Sequence, residues 1–373
     1  MNTLQKVGIL GDSAKWDSCA SSASPRKIKT NDRIGNAAGC GICHSFTEDG
    51  RCISLWKTLY SNACSFDCKY CPNSAGCNIN KARFGPEEFA RVFMSLYVRN
   101  YVEGLFISSA VEKDADRTTE SMIGAVELIR NKYKFQGYIH FKVLPGTNYD
   151  LIKHASDFSD RMSVNLEAPN KSRMSEISSV KDYKTDILRR QAWLKRMKIP
   201  SGQTTQLVVG GSGETDLEIL KMIDWEYKNI GLKRGYYSAF SPVPKTPLQF
   251  KDKTPLAREK RLYNIDFMLR KYDIPLNEFR EIMDNGMLPG IDPKLALARK
   301  HFDSGIDLNE AGWNELIRVP GIGPRSAHRI LELRKSRVKL KKKEQLKNIG
   351  VVLKRALPFI EIDGKRQRML IEY

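Results

Sequence analysis

The sequence predicts an α/β domain built on a parallel sheet, followed by an all-α C-terminal domain. Three observations lead there. From residue 53 onward, short runs rich in β-branched and aromatic residues alternate with helical patterns, and that alternation implies parallel strands joined by crossover helices. A stretch rich in Pro and Lys, 241–260, then breaks the pattern as a linker does. Beyond it only helical periodicity remains, and residues 312–373 hold 16 Lys and Arg against 6 Asp and Glu.

Taken in order, residues 1–36 are polar and Ser-rich without periodicity, so an irregular leader is expected, extending as a Cys-containing segment over 1–52. The strand candidates are Ile53–Tyr60, Gly104–Ala110, Tyr138–Leu144, Met162–Ala168, Thr205–Gly211 and Gly235–Phe240. Helical patterns cover 86–101, 117–134, 148–158, 171–198 and 214–230, with Asp150 and Asp216 as cap or first-turn residues. The expected domains are the leader at 1–52, the α/β domain at 53–250, a linker and helical extension at 251–305, and the basic helical domain at 306–373.

Composition narrows the function. The chain has 373 residues, 41% of them hydrophobic, enough for a folded core. It has no apolar run long enough to span a membrane and no basic-then-apolar start, so a soluble, cytoplasmic protein is expected. Eight cysteines bunched before residue 78 suit metal ligation in a reducing compartment better than a disulfide framework. A net charge of +19 concentrated in the tail suits a polyanion, most simply nucleic acid.

The densest chemistry is Cys64-Ser65-Phe66-Asp67-Cys68-Lys69-Tyr70-Cys71. A tetrahedral zinc would need a fourth ligand. A [4Fe–4S] cluster ordinarily takes four cysteines, so three on one short loop leave an iron open. The other readings are a zinc knuckle or incidental buried cysteines. With an aromatic, Tyr70, directly before the third cysteine, the motif resembles that of the radical S-adenosylmethionine (SAM) superfamily. The resemblance implies a partial (β/α)6 barrel, SAM on the open iron, and reductive cleavage to a 5′-deoxyadenosyl radical. The loop directly follows the first strand, at the end where barrel enzymes place their chemistry. Four further thiols, Cys19, Cys40, Cys43 and Cys52, suffice for a second iron–sulfur cluster or a zinc, with Cys77 as alternate ligand. The other reading is free thiols near a redox centre.

In the tail, Val319-Pro320-Gly321-Ile322-Gly323-Pro324-Arg325 between two amphipathic patterns resembles the helix-hairpin-helix DNA-binding motif. Gly321 and Gly323 allow a tight turn with exposed backbone, the second helix offers N–H groups to phosphate, and Arg325 and Arg329 flank it. Leu346–Ala356 reads as a degenerate second hairpin packed on the first.

Nearly the whole chain resembles a prokaryotic radical SAM family with a C-terminal helix-hairpin-helix, associated with DNA modification or repair. Its landmarks are Cys43-His44-Ser45-Phe46, Asp49-Gly50-Arg51-Cys52-Ile53-Ser54-Leu55, Glu103-Gly104-Leu105-Phe106-Ile107-Ser108-Ser109, Gly137-Tyr138-Ile139-His140-Phe141-Lys142 and the hairpin. The resemblance implies DNA as partner, a uracil-DNA-glycosylase-like protein, and an electron donor such as flavodoxin or ferredoxin. The second strand departs from the superfamily by ending Ser108-Ser109-Ala110 rather than Gly-Gly-Glu, so Ser109 backbone or Glu112 takes the SAM amino group.

The candidate SAM contacts are Tyr70, Ser108, Ser109, Asn165, Glu167, Gly210 and Gly211. Asn165 and Glu167 suit the ribose, or else a fold contact, and the glycines leave room for adenine. His140 and Lys142 are substrate-facing or structural, and Tyr236 and Tyr237 stack a base or pack the core. The rival functions are a radical SAM enzyme acting on RNA or a small nucleotide, and a non-catalytic iron–sulfur DNA-binding protein.

Overall fold

Seven strands form one curled sheet in the order β1 to β7: Ile42–Phe46, Cys52–Leu59, Gly104–Ser108, Ile139–Lys142, Arg161–Ser163, Gln203–Val209 and Arg234–Ala239. From β2 onward every pair is parallel, each strand following its neighbour after a helical crossover. β1 is antiparallel to β2, an edge strand that the six-strand reading lacked. The structure is a computed structural model and describes residues 1–14, 41–46, 52–302, 304–362 and 364–366. It divides into two units, 1–214 with 222–259, and 215–221 with 260–373.

In the first unit, alternate strand residues separate two environments. Trp56 and Tyr60 point outward and pack on Phe89, which comes from α2 (Pro86–Val98) together with Phe93. Lys57, Phe106 and His140 take the inner face, where the Phe106 and His140 rings lie 4.2 Å apart and Lys57 sits 5.2 Å from the Phe106 centroid. The other helices are α1 (Thr3–Ala14), α3 (Ala115–Glu127), α4 (Tyr149–Ser156), α5 (Lys171–Ile177), α6 (Arg189–Arg196) and α7 (Asp216–Trp225). α1 begins where an irregular leader was expected, and it is fixed by Thr3 Oγ1 and Lys6 Nζ on Glu88 at 2.9 and 2.6 Å.

Two expected elements are shorter than their hydrophobic patterns. The strand expected over Met162–Ala168 stops at Ser163, where the Thr205 hydroxyl takes over, donating to Val164 O at 2.7 Å and accepting from Leu166 N at 3.0 Å; Glu167, left-handed (φ +61°), keeps an isolated bridge to Leu207. The helix expected over 171–198 is three pieces: α5, a π-turn at Tyr183–Leu188, and α6. Similar π-turns, Leu128–Lys132 and Glu226–Ile230, end α3 and α7 before β4 and β7.

The second unit is helical, with α8 (Leu256–Lys271), α9 (Leu276–Arg280), α10 (Pro293–His301), α11 (Trp313–Leu316), α12 (Pro324–Lys335), α13 (Lys343–Asn348) and α14 (Leu353–Ala356). Three short strands, β8 (Ile306–Asp307), β9 (Ile360–Ile362) and β10 (Lys365–Arg366), make a small sheet that the all-α expectation lacked. Its core gathers Leu316, Ile317, Ile322, Ala327, Leu346, Val351 and Ala356.

Candidate metal centre and nucleic-acid interface

The cysteine loop leaves the C-terminal end of β2 and is stitched to its surroundings through backbone and side chain. Ser65 N donates to Val111 O at 2.8 Å, and Lys69 N to Ile177 O at 2.9 Å. Asp67 accepts four hydrogen bonds from one stretch: Ser178 Oγ (2.6 Å), Ser179 Oγ (2.5 Å), Ser179 N (2.8 Å) and Val180 N (3.4 Å). These donors hold its carboxyl far below the usual range, against the opposing effect of burial.

Cys64, Cys68 and Cys71 line a cavity of about 270 Å³ together with Tyr70, Ser108, Ser109, Lys142, Asn165, Glu167 and Lys181. Burial, above all, raises the thiol pKa values of Cys68 and Cys71, the latter to about 12, and each neighbouring thiol adds to this. Two neighbouring thiols that resist ionisation, with a third on the same cavity wall, call for a cation to stabilise their thiolates. Among the described residues no three His, Cys, Asp or Glu side chains close on a single ion. A four-iron cluster does not ask for that, since each thiolate takes a different iron. The donor set therefore fits the cluster better than a lone zinc.

Around the thiols the wall is polar and interlocked. Tyr70 donates its hydroxyl to Glu167, and burial above all, then nearby negative charge and that bond, raise its pKa well above the ordinary value. Asn165 Nδ2 reaches Glu167 Oε1 at 3.3 Å, and Lys181 Nζ lies 3.8 Å from the same oxygen. Gln206 Nε2 donates to Ser238 Oγ at 2.9 Å on the opposite strands.

The remaining expected contacts distribute unevenly. Glu112 pairs with Arg83 at 3.4 Å and does not line the cavity. Gly210 and Gly211 also lie outside its lining, and Gly210 has a packing reason to be glycine. Its φ is +86°, and a Cβ would sit 2.0 Å from Thr254 Oγ1. His140 Nε2 meets Ser163 Oγ at 2.9 Å, Tyr236 stacks under Arg234 at 5.2 Å, and Tyr237 is core. Asp67, Lys181, Gln206 and Ser238 were missed. Their only sequence signal is Ser178-Ser179 breaking a helical pattern.

Among the described residues, the expected ligands of a second centre are not brought together. Cys43 is buried with Leu55 and Phe106, whereas Cys52 is exposed at the other end of the same ladder. Three positions along a strand reverse the face and span about 10 Å, so these two thiols do not share an ion. Cys19 and Cys40 lie outside the described residues. Cys77 is a fastener, its thiol 3.3 Å from both Lys245 O and Ser74 Oγ.

In the other unit two hairpins pack on each other. Gly321 (φ +86°) and Gly350 (φ +87°) occupy equivalent turns, each followed by a buried residue, Ile322 or Val351. Val352 N donates to Gly321 O at 2.9 Å, and Arg329 Nη1 to Ile349 O at 3.2 Å. A Cβ on Gly321 would lie 2.5 Å from Val352 O, so that glycine serves the packing. Gly323 differs. It caps α12 with extended backbone (φ −105°, ψ 177°), offers no side-chain cap, and a Cβ would approach nothing closer than 3.8 Å. Of the basic surround, Arg325 is exposed, but Arg334 is tied to the carbonyls of Glu310 and Ala311.

Residues 58–225 match the radical SAM superfamily, and 302–357 match the helix-hairpin-helix motif. The chain carries a radical SAM domain. That superfamily uses a [4Fe–4S] cluster and SAM, which the residues around the cysteine loop fit. Solved structures of similar fold include HydG, a maturase of the [FeFe]-hydrogenase (11% identity over 56% of this chain and 48% of that one, TM-score 0.47). Methylornithine synthase PylB matches at 12% identity over 57% and 60%, TM-score 0.47. A radical SAM methyltransferase from Sphaerobacter thermophilus matches at 14% over 60% and 69%, TM-score 0.44. This chain spans about half the length of HydG. The curated proteins contain no match. Among the described residues no helix is long and apolar enough to cross a membrane.

Proposed function

We propose that this protein is a radical SAM enzyme that modifies or repairs DNA, and that its hairpin unit brings it to the duplex. Cys64, Cys68 and Cys71 hold the cluster, while Tyr70, Ser108, Ser109, Asn165 and Glu167 contact SAM. When bound, cluster and SAM supply one-electron cleavage of the sulfonium to a 5′-deoxyadenosyl radical. The protein's own part is to bind, orient and exclude water. A uracil-DNA-glycosylase-like partner, a flavodoxin or ferredoxin donor and a cytoplasmic setting belong to the same reading.

The observation that carries DNA as substrate is Gly323. A glycine the fold does not require, at the uncapped start of a twelve-residue helix beside exposed Arg325, suits close backbone approach by phosphate. Phosphate contacts position a protein without reading sequence, which leaves selectivity to the barrel cavity or the partner. With roughly five phosphates neutralised, log affinity for duplex DNA falls against log salt with a slope of about −4 to −5. Gly323→Val weakens duplex binding at low salt and leaves DNA-independent SAM cleavage intact. Unchanged DNA affinity in that variant, or in a chain cut before residue 306, overturns the assignment. Tighter binding of RNA than of duplex DNA moves the substrate to RNA. Replacing all three cluster cysteines by Ala abolishes visible charge-transfer absorption and SAM cleavage, and retained cleavage sinks the ligand assignment.

A further inference from the structure

Lys181 sits in the break between α5 and the π-turn, on the stretch that Asp67 grips through Ser178, Ser179 and Val180. The grip joins the cysteine loop to this stretch and brings one long side chain back to the thiols. The Lys181 side chain is 7% exposed, lines the same cavity as Cys64, Cys68 and Cys71, and its ammonium lies 3.8 Å from Glu167 Oε1. A buried ammonium is tolerated only with partners of opposite charge or good acceptors. Glu167, also engaged by Tyr70 and Asn165, is one such partner, and the Cys68 sulfur on the same cavity wall is a second acceptor within its surroundings.

We propose that Lys181 is a positioning residue that fixes a positive charge and an N–H donor on the Cys68 side of the cluster, easing its one-electron reduction. The inference rests on Cys64, Cys68 and Cys71 being the cluster ligands. The step it biases adds one electron from a low-potential donor, an iron–sulfur or flavin protein in the cell and dithionite in the assay. One negative charge is gained, and no bond or proton moves. A fixed cation stabilises the state with the extra negative charge more than the state without it, and in a buried site that difference is weakly screened. Net charge and hydrogen bonds to the sulfurs are the protein's levers on such a potential. Asp67 serves indirectly, by holding the stretch that carries Lys181.

The test is an EPR-monitored potentiometric titration of the reconstituted full chain, with iron content measured on each sample. Lys181→Met is expected to make reduction at least about tenfold less favourable, which for a one-electron couple is about 59 mV downward. Lys181→Arg restores most of the shift, and Asp67→Ala moves the midpoint in the same direction by less. An unchanged midpoint in Lys181→Met at wild-type iron content overturns the inference. Should that variant load no iron, an unchanged midpoint in loaded Asp67→Ala does so instead. Cys68→Ala tests the ligand reading separately: full iron content and an unaltered spectrum there remove the premise rather than the role of Lys181.

Discussion

Each unit of this protein buries a lysine, and the two surroundings drive its proton affinity in opposite directions. Lys181, in the barrel wall, is raised above its ordinary value by Cys68 and Glu167 in spite of desolvation. Lys294, in the first turn of α10, is pushed down to about 7 by burial and by the like charge of Arg355, with Asp292 only partly compensating. Its ammonium donates to Ile322 O in the hairpin turn at 2.5 Å and lies 4.7 Å from the Tyr272 ring centroid. Exposure is nearly the same, 7% for the Lys181 side chain and 8% for Lys294. The difference is the company. Burial decides that a charge needs a partner, and the partner's charge decides whether the proton stays.

The comparison sharpens first at Lys294. Its folded pKa lies below the unfolded value of 10.5, so the buried ammonium costs stability fully below pH 7, and the cost fades as pH rises toward 10.5. Thermal melts of wild type should gain on Lys294→Met over that window by on the order of 3–5 kcal/mol; parallel profiles would mean the ammonium is not strained. Glu226 gives the opposite sign. Both its carboxyl oxygens are buried without a hydrogen-bond partner, and burial pushes its pKa up to about 8. The advantage of Glu226→Gln over wild type should therefore be smallest near pH 4.5 and widen up to pH 8, by on the order of 3 kcal/mol in chemical denaturation. A constant difference would refute the buried carboxyl.

Asp67 is the reverse case, a carboxylate surrounded by donors. Asp67→Ala should destabilise the first unit by about 2–3 kcal/mol in urea and lower iron loading on reconstitution; normal loading with an intact spectrum would show the grip to be dispensable. The smallest effects separate the two hairpin glycines. Gly321→Ala meets both a positive φ and Val352 O, for about 1–3 kcal/mol, whereas Gly323→Ala should cost under about 0.5 kcal/mol. Equal losses would mean that Gly323 also serves packing.

The alternation of strands and helices was legible because inward and outward residues differ so consistently, as Lys57 and Trp56 do on β2. The cysteine triad was legible because its spacing is local. What stayed hidden depends on contacts across the chain. Asp67 meets residues more than a hundred positions away, and nothing near Lys181 marks it as facing a thiol. Proximity in sequence also misled: Cys43 and Cys52 look like neighbours, but pairing in one hairpin sets them on opposite faces. The second hairpin was recognised from its residues, yet only the packing shows why Gly321 cannot carry a side chain.

The π-turns that end α3 and α7 have an evolutionary consequence. A single π-turn holds about one residue more than the α-helical turn it replaces, so Leu128–Lys132 and Glu226–Ile230 each store one residue of slack just ahead of a strand. A one-residue deletion in either is absorbed by regular α-helix, and β4 and β7 keep their register. At these two turns the chain can shorten by a residue without moving the strand that follows.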